Sequence, residues 1–342
     1  MKTITIAGGG VCGLSLGISL RRAGVPVILH EAGSYPRHKV CGEFLAGCRP
    51  PLLEQLGIAE LFADARQNRR CTWYHRNHRI LRKALPGMIP SLSRHALDSN
   101  LAEKFASLGG TLHTHAKLPT EDPPTGTVLT TGRVPDARSP WLGVKIHLLD
   151  FPLHDDLEMH LGKDAYFGLC QVEHNRVNLC GIVAKSRLPA RTSHKQDFLP
   201  NLLRNCGLTD LVDRITTATP DIESQRTVAG LYYDRRPPDP GIVRLGDAHT
   251  PIPPFTGNGM TMALQSASLA TPHLAAWARD NSREWKSCRE AILRAQVRQF
   301  HGRLQRARFL QNWLLSPWRQ RVLVGCGKLH LMPFSLLYRL LH

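Results

Sequence analysis

The 342-residue chain has nine cysteines but no C-x-x-C pair. Scattered from Cys12 to Cys326, they form no disulfide framework and read as the reduced thiols of a cytosolic protein. No run reaches the ~18 apolar residues of a membrane-spanning helix. Met1-Lys2 leads straight into apolar strand sequence, so no signal peptide is expected. Acid is scarce as well: 27 Asp and Glu stand against 44 Lys and Arg, a net charge of +17. Such a balance suits nucleic acid, anionic lipid or acidic cofactors and substrates. The cations are dispersed, many in the C-terminal third (Arg294, Arg298, Arg303, Arg306, Arg308), and no RNA- or DNA-binding signature accompanies them, so nucleic acid is not an expected partner. The pairs His75-x-x-His78 and His113-x-His115 lack companion ligands, and no metal is expected. No catalytic triad or carboxylate pair stands out.

What is present is concentrated in the first 31 residues. Thr3 to Ala7 read as a buried strand and run into Gly8-Gly9-Gly10-Val11-Cys12-Gly13, a G-x-G-x-x-G that opens a helix. Gly8 permits the tight turn, Gly10 the approach of a pyrophosphate, and Gly13 close helix packing, while Val11 and Cys12 lie at the N-H-rich helix end. Gly24 stops the helix, and a second strand, Val27 to Leu29, delivers Glu31 18 residues after Gly13. A carboxylate there accepts from the ribose 2′-OH of an unphosphorylated adenosine, favouring FAD or NAD over NADP.

The loop Ala32 to Gly47 carries Arg37, Lys39, Cys41 and Glu43. Pro51 to Phe62 reads as a helix, Cys71 to Leu81 as a strand, and Ser93 caps a helix through Phe105. Short strands follow at Thr111 to His115 and Val128 to Arg133. From Trp141 to Lys185 consecutive strands begin a β-rich region, with Glu173-His174-Asn175 as a hairpin turn. Phe198 to Ile215 reads as helix and Val228 to Tyr233 as a strand leaving that region.

Ile242 to Leu245 form a buried strand ending in Gly246-Asp247, and a proline-stiffened loop leads to Gly257-Asn258-Gly259-Met260 at the start of a helix to about Trp277. Asp247 can accept from a polyol hydroxyl, and the positive helix end suits the electron-rich edge of a flavin. Adenosine and ribitol sites at distant points in the chain are what FAD requires. Candidate acid, base or substrate-binding groups are Cys41, Glu43, Lys145, His147 and His249. Basic helices from Glu284 lead to an apolar end around Trp313, Trp318 and Leu329 to Leu341, suited to packing on the body or to peripheral membrane contact.

On these residues the chain resembles the FAD-dependent enzymes that include p-hydroxybenzoate hydroxylase, geranylgeranyl reductases and flavin-dependent halogenases. The resemblance rests on Gly8-x-Gly10-x-x-Gly13 with Glu31, on Arg37 to Glu43, on Ser93-Arg94 with Leu97-Asp98, and on Gly246-Asp247 with Pro254 to Met260. It implies an α/β fold: a Rossmann-like FAD-binding domain interrupted by a β-sheet substrate domain, with C-terminal helices. The implied boundaries are 1–70, 92–140 and 231–280 for the FAD-binding domain, 71–91 and 141–230 for the substrate domain, and 281–342 for the helical region. By similarity Glu31 holds the adenosine ribose, Arg37 and Arg94 contact FAD, Asp247 holds the ribitol, and Gly257, Asn258, Gly259 and Met260 follow the pyrimidine edge.

The implied activity is that of a monooxygenase of an aromatic or polyketide-like molecule in secondary metabolism, cytoplasmic or peripheral to the membrane. The alternatives are a reductase of an isoprenoid or lipid double bond, to which the Lys39-Val40-Cys41-Gly42 segment is more similar, then a halogenase or a non-catalytic flavoprotein. The W-x-W-x-I-P motif of tryptophan halogenases is missing. Thr131 to Ser139 stand where hydroxylases carry D-G-x-x-S-x-x-R, so NAD(P)H is one candidate electron donor and a separate flavin reductase another.

Overall fold

In a computed structural model, the described residues are all but 191–194, 232–240 and 330. The first part of the chain forms β1 (Ile4–Ala7), α1 (Val11–Arg22), β2 (Val27–His30), α2 (Pro50–Leu56), β3 (Arg66–His75), β4 (His78–Ser91), α3 (Arg94–Ser107), β5 (Thr111–His113) and β6 (Thr127–Leu129). Next come β7 (Trp141–Leu149), β8 (Leu157–Gly162), β9 (Ala165–Gln171), β10 (Val177–Ala184), α4 (Phe198–Asn205), α5 (Thr209–Thr216) and β11 (Thr219–Ala229). The chain ends with β12 (Val243–Arg244), α6 (Gly259–Arg279), α7 (Trp285–Leu315), α8 (Pro317–Lys328) and α9 (Phe334–Leu341).

Five strands make a parallel sheet in the order β12-β6-β1-β2-β5. Parallel sheets are stable only when both faces are covered, and α1 supplies part of that cover. Val11 through Leu20 are all buried, because α1 lies between the sheet and α3 and α6. Gly13 and Gly17 make that possible. A Cβ on Gly13 would sit 2.0 Å from the Gly8 carbonyl oxygen, and one on Gly17 2.8 Å from the Phe105 ring.

Seven strands make the second sheet, β11-β7-β10-β9-β8-β3-β4, antiparallel except where β3 runs beside β8. Alternation decides which face each residue meets. Phe167, Leu169, Leu179 and Val183 pack on α4 and α5, whereas Tyr166 and Ile182 point toward the C-terminal helices with Leu314 and Met332. The chain is thus α/β: a Rossmann-like parallel sheet, a second sheet of mixed direction, and C-terminal helices.

Several expected elements differ in extent. The strand expected over Cys71 to Leu81 is a hairpin of β3 and β4, in which His75 and His78 face each other across the turn. The helix expected over Phe198 to Ile215 breaks at Gly207, whose φ of 73° ends α4 before α5 begins. The helix over Pro51 to Phe62 stops at Gly57 and resumes as a 3₁₀ turn. The strand expected from Val228 starts at Thr219 instead, and Tyr232 and Tyr233 lie outside the described residues.

Glu158 on β8 is buried and accepts from Arg214 at 2.8 and 3.0 Å, with His160 Nε2 at 2.9 Å. Burial alone would raise its pKa, but these partners outweigh it and bring it from 4.5 to about 2. The folded state therefore binds this proton more weakly than the unfolded chain. The stabilisation, on the order of 3 kcal/mol, is complete above pH 4.5 and disappears as pH falls toward 2. Urea unfolding across that range should show a steep loss of stability that Glu158→Gln flattens; equal slopes in the two proteins would refute the assignment.

Candidate functional site

Because β1, β6 and β12 are parallel neighbours, their carboxyl ends lie on one side of the sheet. This brings Gly8 and Gly246, more than two hundred residues apart in sequence, to the same edge. A Cβ on Gly246 would lie 3.4 Å from Cys12 Sγ, and burial together with the Asp247 charge pushes the Cys12 thiol far above its ordinary pKa. Asp247 itself is held by Arg133 at 3.2 Å.

The glycine turn is braced by Glu31, which accepts from Gly9 N at 2.7 Å, Gly33 N at 2.8 Å and Arg37 Nη2 at 3.1 Å. Burial would raise the Glu31 pKa; the two backbone donors and the Lys39 and Arg37 charges lower it overall. A carboxylate offers about four acceptor positions, so one remains for a ligand hydroxyl. No side chain caps α1, and its first turn holds no acid, so the N-terminal N-H groups and positive dipole end are not neutralised.

Two cations converge over this turn. A Cβ on Gly10 would lie 3.6 Å from Arg94 Nη2 and 3.9 Å from Lys39 Nζ. Both share the buried Asp98: Arg94 bonds it bidentately at 2.8 and 2.7 Å and Lys39 at 2.8 Å. Burial opposes the charge on Asp98, but Arg94 and Lys39 keep its pKa below the ordinary value. Arg94 and Asp98 are four apart on α3, so this pair was readable as helix neighbours; Lys39 was readable only as part of a basic loop.

Beneath the loop lies a second polar group with no exposed atoms. The side chains of Glu43, Lys145 and His147 are all 0% exposed. Glu43 Oε2 lies 2.7 Å from His147 Nε2, and Glu43 Oε1 lies 3.4 Å from Lys145 Nζ and accepts from Arg94 N, in the first turn of α3, at 3.1 Å. Lys145 in turn donates to His38 Nδ1 at 3.1 Å. Burial lowers the Lys145 pKa against the pull of Glu43. Burial and the Lys145 charge take His38 down to about 3, so this ring is a neutral acceptor. Glu43 has φ 60°, a conformation unfavourable for a residue with a side chain and maintained by the bonds around it.

The sheet supplies the other half of this chamber. Lys145 and His147 alternate with Val144, Ile146 and Leu148 on β7, so the polar residues face the loop and the apolar ones the core. On β10, Asn178 stands opposite His147 and donates to the Cys41 carbonyl at 3.0 Å. The Cys170 thiol bonds the Gly42 carbonyl at 3.1 Å. Burial raises the Cys41 pKa and Arg94 draws it back. Among the sequence candidates, the structure gathers Cys41, Glu43, Lys145 and His147; His249 makes no hydrogen bond to them among the described residues. Asn178 and His95, which stacks on His38 at 4.5 Å, carry no sequence signal marking them for this chamber, and His38 is legible only as part of the Arg37 to Glu43 segment.

Next to this chamber is a cavity of about 130 Å³ of opposite character, bounded by Phe44, Trp73, Phe255, Trp313, Phe334 and Tyr338. Among the described residues no Lys or Arg lines it, and Glu158, which does, is paired with Arg214. The α6 end is covered: Asn258 Nδ2 bonds the Leu341 carbonyl, and His342 Nε2 lies 3.0 Å from the Thr256 carbonyl. Gly257 is pressed on by the Phe44 ring, at φ 65°. Among the described residues no three His, Cys, Asp or Glu side chains converge to hold a metal ion.

No protein-family model and no curated protein matches the sequence. Solved structures do share the fold. The p-nitrophenol 4-monooxygenase PnpA from Pseudomonas putida DLL-E4 gives a TM-score of 0.75 at 15% identity, covering 100% of this chain and 97% of that one. A geranylgeranyl bacteriochlorophyll reductase-like protein from Thermoplasma acidophilum gives 0.73 at 15% identity, over 97% and 92% of the two chains. HpxO from Klebsiella pneumoniae, complexed with FAD and uric acid, gives 0.72 at 14% identity, over 99% and 97%.

Removing the Glu43 carboxylate leaves Lys145 and His147 buried without an acidic partner. Glu43→Ala should lower the unfolding free energy by about 3–5 kcal/mol in urea titrations, and adding Lys145→Met should restore part of it. A loss below about 1 kcal/mol in the single variant would show that no buried charge pair exists there.

Proposed function

We propose that the chain is an FAD-dependent oxidoreductase, a monooxygenase of an apolar aromatic or polyketide-like small molecule. The observation that carries this reading is the meeting of the Gly8–Gly13 turn and Gly246-Asp247 at one sheet edge, beneath Lys39 and Arg94. A dinucleotide needs that set: N-H groups and cations for its diphosphate, and carboxylates for its sugar and polyol hydroxyls. Glu31, Arg37, the α1 N-terminus, Lys39, Arg94 and Asp247 would hold FAD, with Gly257 to Met260 beside its ring system. Residues 1–70, 92–140 and 231–280 would form the binding domain, roofed by 71–91 and 141–230. When bound, the flavin supplies hydride acceptance and reaction with oxygen.

The chain's own residues then orient substrate, exclude water and handle protons. The apolar cavity selects an apolar substrate, because a carboxylate or phosphate entering it meets no cation. His147, Glu43, Lys145 and His38 are linked at 2.7, 3.4 and 3.1 Å and form a path, buried as far as the half-buried His38, along which a proton can be held or passed. The same mostly apolar lining, in which Glu158 is already paired with Arg214, favours a second reading, reduction of an isoprenoid or lipid double bond.

Purified protein should retain FAD, released on denaturation and identified by chromatography. Asp247→Ala should weaken FAD about ten- to a hundredfold, the loss of a hydrogen bond to a charged group, with circular dichroism unchanged. Incorporation of labelled dioxygen into product supports the monooxygenase, and anaerobic turnover of an alkene supports the reductase. A chain that binds no FAD, or an Asp247→Ala protein with undiminished affinity, refutes the proposal.

A further inference from the structure

Glu290 is the last acid in the chain. The 52 residues after it hold eight Arg and one Lys against no Asp or Glu. They form most of α7 and all of α8 and α9, whose inner sides supply Trp313, Leu314, Leu323, Phe334 and Leu337 to the apolar cavity. A helix that buries one face normally turns a polar face outward. The helices and the linker between α8 and α9 also turn apolar residues to solvent: Leu329 and Leu331, in the linker, are 69% and 68% exposed, and on the helices Phe309 is 62%, Trp318 60% and Leu336 56% exposed. Cations are interleaved among them. The Arg319 guanidinium lies 5.2 Å from the Trp318 ring centre and 5.7 Å from that of Trp313, and Arg321 and Arg339 are exposed.

We infer that the outer surface of α7 to α9 docks on an anionic lipid bilayer. An acidic protein or a nucleic acid would answer the charge and leave Leu329, Leu331 and Leu336 in water. A second copy of the chain would cover those leucines, but the segment after Glu290 carries no acid, and two identical copies of it repel across a two-fold axis. A bilayer with anionic headgroups takes both components: the leucines, Phe309 and Trp318 enter the interface and the arginines meet the phosphates. Among the described residues no helix is long and apolar enough to cross a membrane, so the contact is peripheral.

The test is co-sedimentation of the full-length protein with vesicles of phosphatidylcholine alone or mixed with phosphatidylglycerol. Binding should be at least about tenfold tighter to the mixed vesicles and should fall as salt is raised. The double variant Leu329→Ser/Leu331→Ser should lose about tenfold in binding while keeping its melting temperature, and Arg321→Ser should reduce the preference for anionic vesicles. Equal partition to the two vesicle types would overturn the inference. So would loss of binding in Arg321→Ser with none in the leucine variant, which would mark a site for an acidic macromolecule. A dimer in solution that the leucine variant dissolves would overturn it in favour of self-association. None of these readouts depends on flavin, so a negative result leaves the proposed function standing, and absence of FAD leaves the docking surface standing.

Discussion

One buried carboxylate, Glu43, connects the parts that make the site. It reaches the second sheet through Lys145 and His147 and the parallel-sheet side through the Arg94 amide at the start of α3, while its own main chain shapes the loop between them. Charges without solvent persist only where partners replace the lost water, and each oxygen of Glu43 has such partners. The positive φ of this residue is held by the same contacts. The loop's position over the glycine turn, and with it the placing of Lys39 beside Arg94, follows from where Glu43 is anchored.

The loop also divides two environments. On one side lie charge, hydrogen bonds and the positive end of α1; on the other, beginning at the very next residue, Phe44, lies an apolar cavity walled by aromatic rings. A ligand polar at one end and planar and apolar at the other fits such a division. Since α9 closes one wall and bonds Thr256 and Asn258, the C-terminal helices are part of the cavity rather than an appendage to it.

The parallel sheet was legible because its signals are local. A strand, a glycine turn, a helix and an acid at fixed spacing need no distant information. The meeting of Gly246 with Cys12 is legible only through what one FAD requires at its two ends, since pairing of β12 with β6 leaves no mark in either segment. The chamber was half legible. Cys41, Glu43, Lys145 and His147 were singled out as separate groups, but that three of them share buried contacts depends on packing between sheets. Asn178 reads as one polar residue in an apolar strand, and its bond to the Cys41 carbonyl is a tertiary fact. Helix ends depart from the periodic pattern where glycine decides them: Gly57 and Gly207 adopt left-handed conformations that cut periodic apolar sequence short.

The thiols around the site have a further bearing. Burial keeps Cys12, Cys170 and Cys180 protonated far into alkali, and holds Cys48 and Cys71 at about 12. Oxidants attack the thiolate, so these sulfurs are poor targets for hydrogen peroxide. Here the sulfur nearest the glycine turn is kept inert by the same desolvation that packs the fold.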